Sequence, residues 1–193
     1  MLKITFLGTG TSQGIPVIGC DHPVCNSSDE KDRRLRSSIL VNWKTFNYVI
    51  DCGPDFRYQM LRVGCNKING LFFTHEHSDH VAGLDDLRPF YFHHGDINIY
   101  AHKRVVKSLK RRYDYIFDNK NKYPGVPVIN PIAINNNSFN VNGLEIVPVN
   151  VYHNKLQVFG FRIKNFAYIT DMKTISENEL KKLSNLNVLV LNC

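Results

Sequence analysis

The segment Thr74-His75-Glu76-His77-Ser78-Asp79-His80 places three imidazoles and two carboxylates within six residues, directly after an apolar stretch. In an extended segment, residues two apart share a face, so we expect His75 and His77 to point at one metal ion. The chain must then turn, and Asp79 and His80 open a helix beside a second ion. Imidazole and carboxylate ligands suit Zn, Mn or Fe, and two ions ~3.5–4 Å apart form a clamp used to hydrolyse phosphoesters. A surface histidine cluster is the alternative, but these residues are interleaved with strand and helix signals.

A glycine-rich segment, Gly8-Thr9-Gly10-Thr11-Ser12-Gln13-Gly14, follows the first apolar stretch of the chain. It does not match the dinucleotide-binding fingerprint, because Gln13 stands at the third glycine position. It does not match a phosphate-binding Walker A loop either, since no Gly-Lys-Ser/Thr follows. Its chemistry therefore has to be inferred together with the histidine-rich segment.

The HxHxDH pattern after a strand resembles the metallo-β-lactamase superfamily. That resemblance implies an α/β fold, the four-layer αββα sandwich, with a dinuclear metal site at the edge between the two sheets. By position, it implies His153 as the third histidine of the first ion and Asp171 as the carboxylate bridging both ions. It implies a supporting role for Asp51, which precedes Cys52-Gly53, in holding the metal-binding loop without ligating; a simple Asp-Gly turn is the alternative.

The N-terminal loop narrows the resemblance. Leu7–Pro16 with Gly19-Cys20, and Gly83–Phe90 after the metal motif, are similar to the phosphoribosyl cyclic phosphate phosphodiesterase branch. This branch implies a metal-bridging hydroxide that attacks phosphorus in a cyclic or small phosphodiester, with Asp79 or Asp171 orienting the nucleophile. It also implies two divalent cations, Zn or Mn, in the intact protein.

The same branch carries a structural zinc on a cysteine loop. The corresponding residues here are Cys20, His22 and Cys25, with histidine replacing the middle cysteine, and histidine is an acceptable zinc ligand. Free surface thiols are the alternative, and a disulfide is disfavoured in a reducing compartment.

Two other functions stay open. A tRNA-processing nuclease of the same superfamily gains support from a basic helix predicted over His102–Tyr115. Nucleic acid is nevertheless not the favoured partner, because an apolar stripe on one face with Lys and Arg on the other is ordinary for a surface helix. A non-catalytic accessory protein with the same fold, as in pyrroloquinoline quinone biosynthesis, is the third. The complete HxHxDH argues against the latter.

The elements that must position these residues are short strands and a few helices. Apolar stretches predict strands over Leu2–Leu7, Ser38–Val41, Phe46–Ile50, Gly70–Phe73, Ile97–Tyr100, Val126–Ile134, Leu144–Val149, Gln157–Ile163, Phe166–Ile169 and Val188–Leu191. The last reads as fully buried. Ser176 and Glu179 form an S-x-x-E capping box that predicts a helix start. Two sheets between outer helices follow from this order.

The chain has 193 residues and a formal charge of +7, which suits one domain spanning residues 1–193. Its five cysteines, an odd number without a secretory leader, predict reduced thiols in the cytoplasm. No apolar run approaches the ~18 residues of a membrane helix, so no membrane partner is expected. The sequence is compatible with a homodimer. Relatives in the resembling branch continue further, so we expect a domain incomplete at its C-terminus, with weakened binding of the second ion and poor turnover.

Overall fold

Twelve strands form two six-stranded sheets in the computed structural model, which describes residues 1–118 and 123–192. The first sheet has the order β1-β2-β3-β4-β5-β6, and its strands are Leu2–Gly8 (β1), Ser38–Trp43 (β2), Phe46–Ile50 (β3), Gly70–Phe73 (β4), Ile97–His102 (β5) and Ile129–Ile134 (β6). Strands β1 to β3 are antiparallel, whereas β3 to β6 are parallel. The parallel half places the carboxyl ends of β3 and β4 side by side.

The second sheet contains the remaining strands, which are Phe139–Val141 (β7), Leu144–His153 (β8), Leu156–Ile163 (β9), Phe166–Ile169 (β10), Thr174–Ile175 (β11) and Val188–Leu191 (β12). Its order is β11-β8-β9-β10-β12, with β7 pairing with β8. Strand β9 is antiparallel to both β8 and β10. Strands β8 and β10 therefore run in the same direction and end at the same edge.

Helices lie outside the two sheets. They are Phe56–Arg62 (α1), Ser78–Val81 (α2), Arg88–His94 (α3), Lys103–Arg112 (α4), Asp114–Phe117 (α5) and Glu177–Leu180 (α6), with 3-10 turns at Glu30–Asp32, Leu84–Leu87 and Lys181–Leu183. None of the helices in the described ranges is long and apolar enough to cross a membrane.

Side chains alternate between two cores along the central strands. In β2, Ile39 and Val41 face the second sheet, while Leu40 faces the helices. This period-two pattern is what a strand buried on both faces requires. Between the sheets, the rings of Phe72 and Phe161 lie 5.6 Å apart and both are fully buried. A third cluster, which includes Val149 and Ile169, lies on the other face of the second sheet. The predicted α/β fold with two sheets between outer helices is confirmed.

Three sequence expectations differ from the structure. The basic helix ends at Arg112, with α5 as a separate turn, and β6 begins only at Ile129. Strand β12 is about half exposed, at 50% for Val188 and 43% for Leu189, so its predicted full burial is wrong. Its apolar sequence resembles that of a central strand, but it is an edge strand that pairs with β10 alone in the described ranges.

The capping box is half formed. The Ser176 hydroxyl accepts a hydrogen bond from the Glu179 N–H at 3.4 Å. The Glu179 carboxylate does not return to Ser176; it accepts from the Asn150 N–H at 2.7 Å and pairs with Lys182 at 2.9 Å. Glu179 therefore fastens the outer helix layer to β8.

Candidate metal centre

The ends of four strands bring predicted site residues, three ligands and the supporting Asp51, to one edge of the sandwich. Asp51 directly follows β3, and His75 follows the adjacent parallel strand β4 after one residue. In the opposite sheet, His153 is the last residue of β8, and Asp171 follows β10 after one residue. Because each pair of strands ends in the same direction, these side chains converge from both sheets.

Two groups of three ligand atoms form there, and they share one carboxylate. The ligand atoms of His75, His77 and Asp171 all lie within 4.8 Å of one another, and so do those of Asp79, His80 and Asp171. Asp171 Oδ2 lies 3.4 Å from both His75 Nε2 and His80 Nε2. His80 Nε2 lies 3.1 Å from Asp79 Oδ2. Asp171 therefore stands between the two groups, as a bridging ligand would.

His153 lies at the rim of the first group without joining it. Its ring centroid is 5.9 Å from that of His77, and both side chains line the same cleft. Its Nδ1 atom is buried and makes no hydrogen bond. The structure thus places the predicted third histidine beside the first group, with an unused nitrogen.

Asp51 accepts three hydrogen bonds from Thr74 and His80, next to the predicted metal ligands. This fully buried carboxylate accepts from the Thr74 N–H at 2.8 Å, from the Thr74 hydroxyl at 2.8 Å and from His80 Nδ1–H at 2.7 Å. Because the Thr74 proton goes to the carboxylate, Thr74 Oγ1 accepts from Nδ1–H of His75, 3.0 Å away. Asp51 therefore holds the Nδ1 proton of His80 directly and that of His75 through Thr74, so Nε2 is the atom of each ring that can bind a cation.

The donor set fits a divalent cation. His75 is fully buried, yet its Nε2 atom has no hydrogen-bond partner. A buried acceptor without a partner costs about 1–3 kcal/mol unless something satisfies it. Neutral imidazole and carboxylate oxygens together match Zn and Mn. The residues present could hold two such ions, the first with more histidines than the second.

The ionisable groups of the site interact strongly with one another. Burial opposes a charge on His80, but the Asp51 and Asp171 carboxylates hold its pKa well above the ordinary value. Burial and the neighbouring His75 lower the pKa of His77. Burial would raise the pKa of Asp171, but the nearby imidazoles of His75 and His80 outweigh this effect and lower it. The Asp171 carboxylate is thus held in its ionised form.

Two aspartates of the site have a positive backbone φ angle. Asp51 and Asp171 both adopt left-handed conformations, with φ of 63° and 56°. Aspartate tolerates this region better than most side chains, but such backbone still stores strain. Close packing adds a second constraint, since a Cβ on Gly53 would lie 2.0 Å from the carbonyl oxygen of Asp79. The Asp-x-Gly segment is therefore pressed against the backbone of α2.

A cleft of about 720 Å³ opens over the two groups. Its lining includes Phe6, Gly8, Thr9, Gly10, Thr11, Ser12, Arg34, Ser37, His77, Asp79, His153, Tyr168, Asp171 and Lys173. The glycine loop thus forms one wall. A Cβ on Gly8 would lie 2.1 Å from the Arg36 carbonyl oxygen, so the loop packs tightly on its neighbour. Arg36 holds it there, donating to the Ser12 carbonyl at 3.1 Å and to Asp55 at 2.9 Å.

The cysteine loop brings two of its three predicted ligands into contact. The interaction between the Cys20 and Cys25 side chains lowers the pKa of the Cys20 thiol and raises that of the Cys25 thiol. His22 Nδ1 instead accepts from the Val24 N–H at 3.2 Å. In the described ranges, Cys20, His22 and Cys25 do not form a group of three close ligand atoms, so a zinc site on this loop stays a prediction.

Three supporting residues were absent from the sequence predictions. Thr74 relays Asp51 to His75, Arg36 anchors the glycine loop, and Arg104 contacts the metal-binding loop. A threonine beside the motif and arginines in basic stretches carry no distinguishing pattern of their own. Only their tertiary partners identify them.

Comparison with known proteins defines the class of fold and site. Residues 46–193 match the family model described as the beta-lactamase superfamily domain, so this chain belongs to the metallo-β-lactamase superfamily. A solved structure described as a new diphosphatase from the PhnP family is 36% identical, with a TM-score of 0.90 over 98% of this chain and 73% of that one. This likeness supports the phosphodiesterase branch that the N-terminal loop resembles.

Two curated proteins share sequence with the chain but are much longer than their matched parts. An octanoyltransferase from Porphyromonas gingivalis is 38% identical over 193 residues, which is 99% of this chain and 39% of that protein. A ribonuclease Z from Methanococcus maripaludis is 33% identical over 114 residues, 56% of this chain and 32% of that protein. The chain thus spans about two fifths and one third of these relatives.

Proposed function

We propose that this metallo-β-lactamase-fold hydrolase is a metal-dependent phosphodiesterase that acts on a cyclic or other small phosphodiester. The observation that carries the proposal is the pair of ligand groups that share Asp171 at the floor of the cleft. His75, His77, His153 and Asp171 would hold one ion, and Asp79, His80 and Asp171 a second. When bound, divalent cations supply Lewis-acid polarisation of phosphoryl oxygens and lower the pKa of water toward ~7.

The chain's own residues contribute binding and orientation. The carboxylate oxygens of Asp79 and Asp171 accept hydrogen bonds, so they can orient an attacking water toward phosphorus. The glycine loop brings Thr9, Thr11 and Ser12 to the cleft wall, where their hydroxyl groups can donate hydrogen bonds to a phosphate ester. Arg34 and Lys173 line the same cleft, and neither side chain has a protein hydrogen bond or ion pair in the described ranges. Both cations are thus available to a phosphate ester.

A tRNA-processing nuclease is the second candidate, favoured by the match to ribonuclease Z. A nuclease needs an extended row of free cations for the RNA backbone, and α4 is the basic element that would supply it. Two of the arginines on that helix are engaged within the protein: Arg104 with Glu76 and Arg112 with the Glu76 carbonyl. This use of α4 favours a small substrate over RNA.

The test compares substrates on the same metal-reconstituted protein. Bis-p-nitrophenyl phosphate, a ribose cyclic phosphate, a nucleoside diphosphate ester and a precursor tRNA are offered in parallel. We expect turnover of at least one small ester, with loss in Asp171→Asn and retention in Asp96→Asn, an exposed carboxylate far along the chain from every ligand. Cleavage of tRNA alone, falling steeply with salt, would support the nuclease instead. No turnover of any diester or diphosphate would refute the phosphodiesterase.

A further inference from the structure

The guanidinium of Arg104 joins two separate segments of the metal centre. Its Nη1 atom donates to Glu76 Oε1 at 2.8 Å, and its Nη2 atom donates to the Gln157 carbonyl oxygen. From the other end of α4, Arg112 Nη1 donates to the Glu76 carbonyl oxygen at 2.7 Å. Helix α4 thus binds both the side chain and the backbone carbonyl of Glu76.

Glu76 and Gln157, the two residues that accept from Arg104, both lie next to predicted metal ligands. Glu76 lies between His75 and His77, the two histidines of the first ligand group. Gln157 lies in β9 opposite Tyr152, the residue before His153. Arg104 therefore bridges the loop that carries two histidines and the hairpin that carries the third.

We propose that Arg104 is a positioning residue that fixes His77 relative to His153 and so sets the affinity of the first metal ion. The Glu76 side chain is only 16% exposed, and its second oxygen, Oε2, is buried without a partner. Removing the arginine would leave a largely buried carboxylate without its counter-charge, which is strongly unfavourable. Glu76 would turn to water and pull the histidine loop with it.

The planar guanidinium is essential to this role. Arginine donates from two nitrogens to two acceptors at a fixed angle, whereas the lysine ammonium is a single, strongly hydrated point charge. Lysine at position 104 could restore the charge beside Glu76 but not both bonds at once. The proposal therefore predicts a graded series, with arginine best, lysine intermediate and glutamine worst.

The experiment titrates the apo-protein with Mn²⁺ by calorimetry, because hard Mn²⁺ discriminates against the thiolates that Zn²⁺ would also bind. Arg104→Gln is expected to weaken the first step roughly 10–100-fold, the usual range for a residue that orients a metal ligand. Arg104→Lys should fall between, and the electron paramagnetic resonance spectrum of bound Mn²⁺ should change in both. The matched control is Arg111→Gln, on an exposed position of the same helix.

A double variant separates the proposed pathway from a general loss of structure. If Arg104 acts through Glu76, Arg104→Gln with Glu76→Gln should weaken the first step no more than Arg104→Gln alone. Wild-type affinity and an unchanged spectrum in both folded Arg104 variants would overturn the proposal. Because the inference rests on the proposed metal centre, wild-type protein that binds no Mn²⁺ would refute both, whereas intact binding in wild type and variants refutes the Arg104 role alone.

Discussion

Replacing Asp51 by asparagine should damage the metal centre without removing a ligand. The substitution keeps the shape of the side chain, and asparagine tolerates the left-handed backbone at this position. It changes the hydrogen-bonding pattern, because an amide has one acceptor oxygen where the carboxylate has two. If the oxygen stays with the Thr74 N–H, the amide NH₂ faces the Thr74 hydroxyl and His80 Nδ1.

The consequence falls on the tautomer of His80. With an NH₂ group opposite Nδ1, the imidazole moves its proton to Nε2, the nitrogen that faces Asp79 and Asp171. A protonated Nε2 cannot ligate a metal. Loss of such an orienting partner typically costs 10–100-fold in metal affinity, which corresponds to about 1.4–2.7 kcal/mol.

The assay is a Mn²⁺ titration of wild type, Asp51→Asn and the control Asp96→Asn, an exposed surface carboxylate. We expect the second step to weaken by that factor in Asp51→Asn through His80, and the first step to weaken as well through the Thr74 contact to His75. Both steps should stay unchanged in the control. Thermal unfolding of the apo-proteins checks that the variant folds. A folded Asp51→Asn protein with both steps within about twofold of wild type would refute the tautomer argument, since RT ln 2 is only ~0.4 kcal/mol.

Four further substitutions test other parts of the account. Gly53→Ala should destabilise the fold by about 1–3 kcal/mol in denaturant unfolding, because the added methyl group would meet the Asp79 carbonyl oxygen. It should also weaken the second Mn²⁺ step. A variant as stable as wild type would contradict the close contact between Gly53 and Asp79. Arg34→Gln and Lys173→Gln should each raise KM for bis-p-nitrophenyl phosphate roughly two- to fivefold with kcat unchanged. Added salt should reduce this difference in KM between variant and wild type. An unchanged KM in both variants would exclude the two cations from substrate binding. Burial raises the pKa of Glu179, but hydrogen bonds from a backbone N–H and a lysine outweigh it and lower that pKa, so its stabilising contribution is present at neutral pH and is lost as the pH falls below ~4.3. Glu179→Gln should therefore be less stable than wild type at pH 7, with a gap that narrows in acid; a constant gap would contradict this assignment.

The sequence was informative about the fold where strands are buried on both faces. Phe72 and its neighbours in β4 form a continuous apolar run, and the predicted and observed bounds of Gly70–Phe73 agree. Strand β12 has an equally apolar sequence but lies at a sheet edge and is half exposed. Local hydrophobicity reports what a strand can bury; whether another element covers it depends on tertiary arrangement.

For the candidate site too, one part could be predicted from local sequence and another part depends on the tertiary arrangement. The spacing of His75 and His77, and of Asp79 and His80, determines which ligands can meet, so the motif alone anticipated these two pairs. Asp171 joins them only because β4 and β10 end at the same edge of the sandwich, and its role came from resemblance.

The arginines of α4 show the limit of reading charge from sequence. Their spacing on an amphipathic helix predicts a solvated face, and it gives no reason to separate one arginine from another. In the structure, Arg104 and Arg112 both donate hydrogen bonds to Glu76, while the exposed Arg111 does not. Which cation finds a buried partner is decided by the loop that packs against the helix, about thirty residues earlier in the chain.

The central claim, one carboxylate shared by two metal sites, is tested most directly by Mn²⁺ titration of Asp171→Asn beside Asp79→Asn. Asp171 belongs to both ligand groups and Asp79 to one. We predict two binding steps in wild type, with the second weaker because its group has fewer ligands. Asp171→Asn should weaken both steps, and Asp79→Asn only the second. Loss confined to a single step in Asp171→Asn would contradict the shared carboxylate.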